Sequence, residues 1–490
     1  MRKSGILLPI FSLPSLYGIG CFGKDAYSFV DFLRKAGQSY WQILPIGPTG
    51  YGDSPYQSYS GTAGNPLFID IELLMFDKLL SFDECREYCG VFNESKINYE
   101  LIRESREKLL RIAISRFDFK KAEYLKFCRD NENWLDDYAV FMSIKTAHNG
   151  DSLWLWDKQL QNKNSEEVAQ FSLEHKEEIK FNKAVQYIFY TQWFALKRYA
   201  NKNGVEIIGD IPIYVSQDSS DFWAKPELFL LDERMEPCLV AGCPPDYFSE
   251  DGQLWGNPIY NWAYHKNTDY QWWIDRLDFS SRMFDVVRID HFRGLYDFWA
   301  VPSSEKSAKN GCWLNGPADS FIDRIKHCLP KLKIIAEDLG KLNDGVVELL
   351  RYSSFPGMAV LQFAFDGDRS NTYLPYNLSK NTVAYTATHD NPTTLEWYNN
   401  LSDKQRIQVH TYLKTSDGRG TVDSMIDAVL SSVADTAVVP MFDYLTLDRE
   451  GRINVPSTVG DNWNVRIRHE LITDELAETV NRKTSIYGRC

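Results

Sequence analysis

Eight short apolar, β-rich runs punctuate this chain, at 5–10, 40–46, 205–211, 284–289, 333–336, 358–365, 382–388 and 437–442. Most are continuously hydrophobic rather than alternating, as strands of a parallel sheet read when helices cover both faces. Their number predicts an α/β fold in which the sheet closes into a (β/α)8 TIM barrel. Several runs end in Asp, Glu or His, and chemistry in such barrels sits at the C-terminal ends of the strands.

The spacing is uneven. About 160 residues separate the second run from the third and about 75 separate the third from the fourth, more than one crossover helix needs. The gaps predict insertions over the C-terminal rim. The first, about 68–200, is helical in pattern: Phe181, Val185, Ile188, Phe189, Trp193, Leu196 and Tyr199 recur at helical spacing before Asn203-Gly204 stops them. That stripe reads as a packed face. The second, about 212–280, is rich in Trp, Tyr, Pro and Gly and predicts a loop-built, aromatic active-site wall. With no repeat or linker between them, residues 1–490 read as one catalytic domain.

Composition narrows the function. No stretch approaches the roughly 18 apolar residues of a membrane span. A net charge of −13 repels phosphate backbones and anionic lipid, so neither nucleic acid nor a membrane is an expected partner. The nine cysteines are odd in number and scattered, without the paired spacing of a disulfide framework or a zinc site. Met1-Arg-Lys3 and the apolar run after it imitate a signal peptide, but two prolines interrupt the run and no A-x-A-like site follows. The expectation is a cytoplasmic protein with no metal. No phosphate loop or dinucleotide fingerprint opens a helix, so no cofactor is expected.

Four strand ends carry the chemistry. In Phe284-Asp-Val-Val-Arg-Ile-Asp-His291, Arg288 and Asp290 are two apart and face the same way, while alternation sends His291 to the other side or into the loop. An adjacent Arg lowers a carboxyl pKa by roughly 1–3 units, keeping it ionised as a nucleophile must be; the same pair could equally be structural. Ile334-Ile-Ala-Glu-Asp338 ends an apolar strand in two carboxylates, one of which could be held protonated by apolar walls and act as an acid. Thr388-His-Asp-Asn391 adds a His–Asp pair, and Gly209-Asp-Ile-Pro212 places Asp210 where a proline stops the ladder. Two carboxylates about 5–5.5 Å apart define retaining glycoside chemistry and about 6.5–9.5 Å the inverting kind.

Val287-Arg-Ile-Asp-His-Phe-Arg-Gly294, Ala336-Glu-Asp-Leu-Gly340, Thr388-His-Asp-Asn391 and Gly209-Asp-Ile-Pro-Ile-Tyr214 resemble the signature strands of amylomaltases, 4-α-glucanotransferases related to the α-amylase superfamily. Pro45-Ile-Gly-Pro-Thr49, Gly52-Asp-Ser-Pro-Tyr-Gln57, Pro244-Pro-Asp-Tyr-Phe-Ser249, Leu254-Trp-Gly-Asn-Pro258 and Phe355-Pro-Gly-Met358 extend the likeness along nearly the whole chain. The resemblance implies a retaining glucanotransferase acting on maltooligosaccharides and starch- or glycogen-type α-1,4-glucans, without a C-terminal β-sandwich. It implies Asp290 as nucleophile, Glu337 as acid/base and Asp390 as the third carboxylate, with Arg288 and His389 binding the same sugar and Tyr56 stacking on it. Ser54, Asp210, Asp246, Gln253, Trp255, His291, Asp366 and Asn462 carry over as further substrate contacts. The chain departs from the pattern at Cys243, where an aliphatic residue is more usual, and in Asn462-Trp-Asn-Val-Arg466, which lacks a second tryptophan. The residues alone reach a retaining α-glycosidase-like enzyme. A hydrolase of the same superfamily therefore stays open as the alternative, and a silent maltodextrin-binding protein is disfavoured by three intact carboxylates.

Overall fold

The computed structural model describes residues 2–490 except Val91, 246–249 and Lys341. All eight anticipated runs are strands: β1 (Lys3–Leu7), β2 (Tyr40–Gln42), β3 (Glu206–Ile211), β6 (Val286–Ile289), β9 (Ile334–Ala336), β10 (Gly357–Val360), β11 (Thr382–Tyr385) and β12 (Thr436–Pro440). They form one parallel sheet in the order β10-β11-β12-β1-β2-β3-β6-β9. Its two edges meet, the Ala336 N–H donating to Pro356 O at 2.9 Å. The seam is tied again by the Met358 N–H, which donates to Asp338 Oδ1 at 2.7 Å. A Cβ at Gly357 would stand 2.6 Å from the other Asp338 oxygen, so this approach requires glycine.

Strand ends differ from the sequence reading for local reasons. The run at 437–442 stops as strand at Pro440, which has no N–H to continue a ladder, and Met441–Tyr444 turns into helix. The run at 358–365 leaves the sheet after Val360 and closes a helical turn at Leu361–Ala364.

The first insertion is helical between Ile71 and Lys202. Its last helix, Lys176–Lys202, buries Phe181, Val185, Ile188, Phe189, Trp193 and Leu196, the expected stripe, while the half-buried Tyr199 donates to Asp31 at 2.8 Å. Two buried glutamines on it act as clamps on a distant loop. Gln186 accepts from the Gly64 N–H at 2.7 Å and donates to Gly64 O at 2.9 Å; Gln192 does the same to Asp70 at 2.7 and 3.2 Å. They fix the loop that carries Ser54 and Tyr56 over the barrel mouth.

The second insertion is not the loop-built wall that its composition suggested. It holds β4 (Leu239–Cys243) and β5 (Gln253–Pro258), which join β7 (Asp297–Pro302) and β8 (Cys312–Asn315) in an antiparallel sheet ordered β5-β4-β7-β8. Half of this wall therefore comes from the β6–β9 connection, beyond the expected boundary at 280.

The opposite end of the barrel is held by Arg489, which is fully buried. Its guanidinium donates to the carbonyls of Leu430 (2.6 Å), Lys3 (3.0 Å), Ser432 (3.1 Å) and Ala434 (2.8 Å), just before β12 and at the start of β1. Removing a charged donor that satisfies several buried carbonyls strands all of them. Arg489→Ala should lower unfolding stability by about 2–4 kcal/mol, read as an earlier midpoint in urea by circular dichroism; an unshifted midpoint would show that water replaces the guanidinium.

Candidate active site

The site is built by strand register. Asp210 on β3 lies directly beside Arg288 on β6, and Ile289 on β6 beside Ala336 on β9. Residues paired across a sheet share a face, so Asp210 and Arg288 point together into the barrel top. The next residues, Asp290 and Glu337, leave adjacent strand ends side by side. Backbone bonds hold them there: the Asp290 N–H donates to Ile211 O and the Glu337 N–H to Ile289 O, both at 3.0 Å.

Arg288 is 3 % exposed and shares its charge. Nη1 donates to both Asp210 oxygens at 2.7 and 2.6 Å, Nη2 lies 2.9 Å from Asp290 Oδ1, and Nε points at the Met358 sulfur, 3.4 Å away. Arg288 and Asp290 face the same way, as their spacing predicts. Arg288 does lower the Asp290 pKa, as expected, but the net shift runs the other way. Burial pushes it up to about 6, against Arg288, with Asp210 and Asp390 adding to the rise. Asp290 still ionises at neutral pH.

Glu337 is loaded differently. Its Oε2 accepts the His291 N–H at 2.8 Å and its Oε1 the Leu339 N–H at 2.7 Å. His291 reaches that position through a left-handed turn, φ 54°. Burial, and then the charge of Asp290, raise Glu337 to about 7, against Arg288 and these two amides. The two acids titrate as a pair, with Glu337 the more tightly protonated. Asp338, the other carboxylate ending this run, is committed to the barrel seam through Met358.

On the far side of the mouth, the Asn391 side chain accepts from the Thr388 N–H and hydroxyl at 3.0 and 2.7 Å, bending the chain after β11. His389 is thereby 2 % exposed, its Nε2 3.3 Å from Asp390 Oδ2. Tyr56 stacks on the His389 ring at 5.3 Å and donates its hydroxyl proton to Asp210 at 2.8 Å. Its single proton being committed, Tyr56 accepts from His389 Nε2, also at 2.8 Å. Burial disfavours the charge of both His389 and Asp390, but each favours the other's. His389 is raised, and Asp390, helped by a 2.7 Å bond from Asn454, falls to about 2. The Asp390 side chain remains 46 % exposed to the open mouth.

The remaining expected contacts are spread around this centre. Trp255 meets the His291 ring edge-on at 4.8 Å and donates to Gln253 Oε1 at 3.1 Å. Ser54 accepts the Tyr56 N–H at 3.3 Å and so shapes the turn beneath that ring. Asp210, expected to touch sugar, has a side chain with 0 % exposure and lies under the site, supporting Arg288 and Tyr56. Asp366 is exposed and accepts from Asp368 and Asn371 in its own loop, and Asn462 bonds Val455 and Thr458 in its own. Neither has a direct bond to the three central acids. Asp246 lies outside the described residues. Sequence reasoning missed Asn454, Met358 and Trp463; each contacts the centre from a position with no chemical signature of its own. A cavity between 45–47, 212–216 and the helix Gln271–Met283 touches Tyr56 and Asp210, but its lining includes neither Asp290 nor Glu337. Asp290, Glu337 and Asp390 stand instead at the strand ends of the barrel rim. Among the described residues no cluster of three or more His, Cys, Asp or Glu could hold a metal, and no helix is long and apolar enough to cross a membrane.

A family model described as 4-alpha-glucanotransferase matches residues 8–472. The chain belongs to the 4-α-glucanotransferase family. It is 48 % identical to the 4-alpha-glucanotransferase of Clostridium butyricum over 484 residues, 98 % of this chain and 99 % of that one. The Thermus thermophilus 4-alpha-glucanotransferase is 39 % identical, over 95 % of each chain. Among solved structures, the amylomaltase from Streptococcus agalactiae in complex with acarbose superposes with a TM-score of 0.97 at 40 % identity, covering 100 % of both chains. This glucanotransferase thus has its fold and its reaction class in common with close relatives.

The raised acids make stability depend on pH. Asp290 and Glu337, raised from 3.8 and 4.5 to about 6 and about 7, make the folded glucanotransferase bind more protons than the unfolded chain in that window. Stability is then present at low pH and lost as pH rises through the folded values. Glu337→Gln, neutral throughout, should raise the thermal midpoint over the parent at about pH 8 and lose that advantage near pH 5. A pH-independent difference would mean that Glu337 is not held protonated by the fold.

Proposed function

We propose that Asp290 is the nucleophile, Glu337 the acid/base and Asp390 the carboxylate that grips ring hydroxyls in a retaining transfer of α-1,4-glucan segments between maltooligosaccharides or starch- and glycogen-type chains. The register carries the reading. Side chains leaving neighbouring parallel strands in step start about 4.8 Å apart, which suits the roughly 5–5.5 Å of a retaining pair better than the wider inverting one. The division of protons supports it too: an ionised attacker with a pKa of about 6 beside a donor at about 7 is the working state near neutrality.

In the first half-reaction an Asp290 oxygen bonds to the anomeric carbon. The bond from that carbon to the glycosidic oxygen breaks, and Glu337 gives its proton to the departing 4-hydroxyl. In the second, Glu337 takes the proton of an acceptor 4-hydroxyl, whose oxygen displaces Asp290. Two inversions give net retention, and one α-1,4 bond is made for each one broken. Arg288 stabilises Asp290 whenever it is ionised, and His389 with Tyr56 forms a stacked wall beside the sugar. We place the enzyme in the cytoplasm as one catalytic unit; nine cysteines scattered without paired spacing, and a buried core running from the barrel into the helical insertion, support that.

Maltotriose alone should yield glucose plus maltopentaose and longer chains while total reducing ends stay constant. Reducing ends that climb steadily, with only glucose and maltose formed, would make the protein a hydrolase. The roles are separable with α-maltotriosyl fluoride, whose leaving group needs no proton. Glu337→Gln should lose about 10²–10⁴ of maltotriose turnover, yet accumulate a maltotriosyl adduct on the peptide containing Asp290. Asp290→Asn should trap nothing; an adduct on Glu337 or Asp390 would overturn the assignment.

A further inference from the structure

The chain returns over the site after β12. Residues 453–463 form a loop closed by the Trp463 N–H donating to Ile453 O at 2.8 Å. Inside it, the Asn462 side chain accepts from the Val455 N–H and donates to Thr458 O, both at 3.0 Å. The loop is also strapped from outside: the Tyr99 hydroxyl donates to Trp463 O at 2.7 Å and the Ile97 N–H to Asn464 O at 2.8 Å. It packs inward through Trp463, 5 % exposed, whose ring lies 5.8 Å from Tyr56 and 6.0 Å from His389.

Within this frame Asn454, 8 % exposed, donates from Nδ2 to Asp390 Oδ1 at 2.7 Å. The direction follows from chemistry, because an ionised carboxylate only accepts. Asp390 needs such an anchor. It stands beyond the end of β11 on a bend, nearly half exposed, where no ladder fixes its side chain. His389 holds one oxygen and Asn454 the other, which leaves roughly two of the carboxylate's four lone-pair directions open to the mouth.

We propose that Asn454 is a positioning residue for glucan transfer: its amide fixes Asp390 Oδ1 so that the free lone pairs meet the hydroxyls of the sugar under attack by Asp290. The proposal rests on the role given above to Asp390. The groups facing that carboxylate are His389 and Asn454 in contact, with Arg288, Asp290 and Tyr56 further off. Asn454 adds a donor and no charge to the set.

Four variants test it: Asn454→Ala, Asn454→Asp, Asp390→Asn and the double variant Asp390→Asn/Asn454→Ala. Each is assayed with maltotriose and with α-maltotriosyl fluoride, so that residual turnover stays measurable. Asn454→Ala should lower kcat about 10- to 100-fold, as loss of a hydrogen bond to a charged group does, with KM little changed because the hydroxyl contacts strengthen in the transition state. Asn454→Asp is nearly isosteric but sets two carboxylates in contact, which then share a proton. It should be worse than Ala and should move the acid limb of the pH profile upward, a shift that a packing role does not produce. In the Asp390→Asn background Asn454→Ala should cause no further loss. Should the Ala variant fail to fold, Asn454→Ser takes its place. Wild-type kcat in Asn454→Ala, an unmoved acid limb in Asn454→Asp, or the same loss with and without Asp390 would overturn the proposal alone. Wild-type turnover by Asp390→Asn would overturn the Asp390 assignment as well.

Discussion

The rim of this barrel is arranged around one guanidinium. Arg288 is 3 % exposed and touches two carboxylates on different strands. Arginine stays charged at any working pH, and its planar fork offers separate nitrogens in fixed directions, which a lysine ammonium does not. One nitrogen takes both oxygens of Asp210, another takes Asp290 and the third faces Met358. Losing it would leave Asp210 with no exposure and no counter-charge, a costly arrangement for any buried ion. Asp210 in turn receives the Tyr56 hydroxyl, so the aromatic wall of the site is tied to the same cation.

Register decides which acids stand beside that guanidinium. Because side chains alternate with a period of two, a slip of one residue between β6 and β9 would send Asp290 and Glu337 to opposite sides. The observed pairing of Ile289 with Ala336 delivers both to one side. The Glu337 carboxyl then accepts from the amides of His291 and Leu339, so one acid holds the turns after both β6 and β9.

Much of this was legible in the sequence, and the parts that were not share a cause. The eight barrel strands are buried on both faces and stand out as uninterrupted apolar runs. The four-stranded wall does not, because Leu239–Cys243 carries a glycine at a register shift and Gln253–Pro258 mixes polar, aromatic and proline residues. Arg288, Asp290, Glu337 and His389 were readable because they end or follow apolar strands. Asp210 was found for the same reason but given the wrong neighbours: an in-register arginine, invisible without the pairing, draws it under the site. Asn454 had no signal, since its partner Asp390 is 64 residues away and neither lies on a strand. The resemblance to amylomaltases supplied what periodicity could not, the preference for a sugar acceptor.

Burial, and the charges gathered around Arg288, together set two acids a strand spacing apart at different values. Apolar walls raise every carboxyl they enclose, so burial alone would push Asp290 and Glu337 up together. Arg288 opposes that rise at both acids, with its charge shared between Asp210 and Asp290. Burial is the largest influence on both: with Asp210 and Asp390 adding to the rise, Asp290 comes to about 6, and with the charge of Asp290 adding to its own rise, Glu337 comes to about 7. Asp210 therefore acts on Asp290 without reaching the open mouth: its charge opposes that of Arg288, so the Asp290 carboxyl stays higher than the guanidinium alone would leave it.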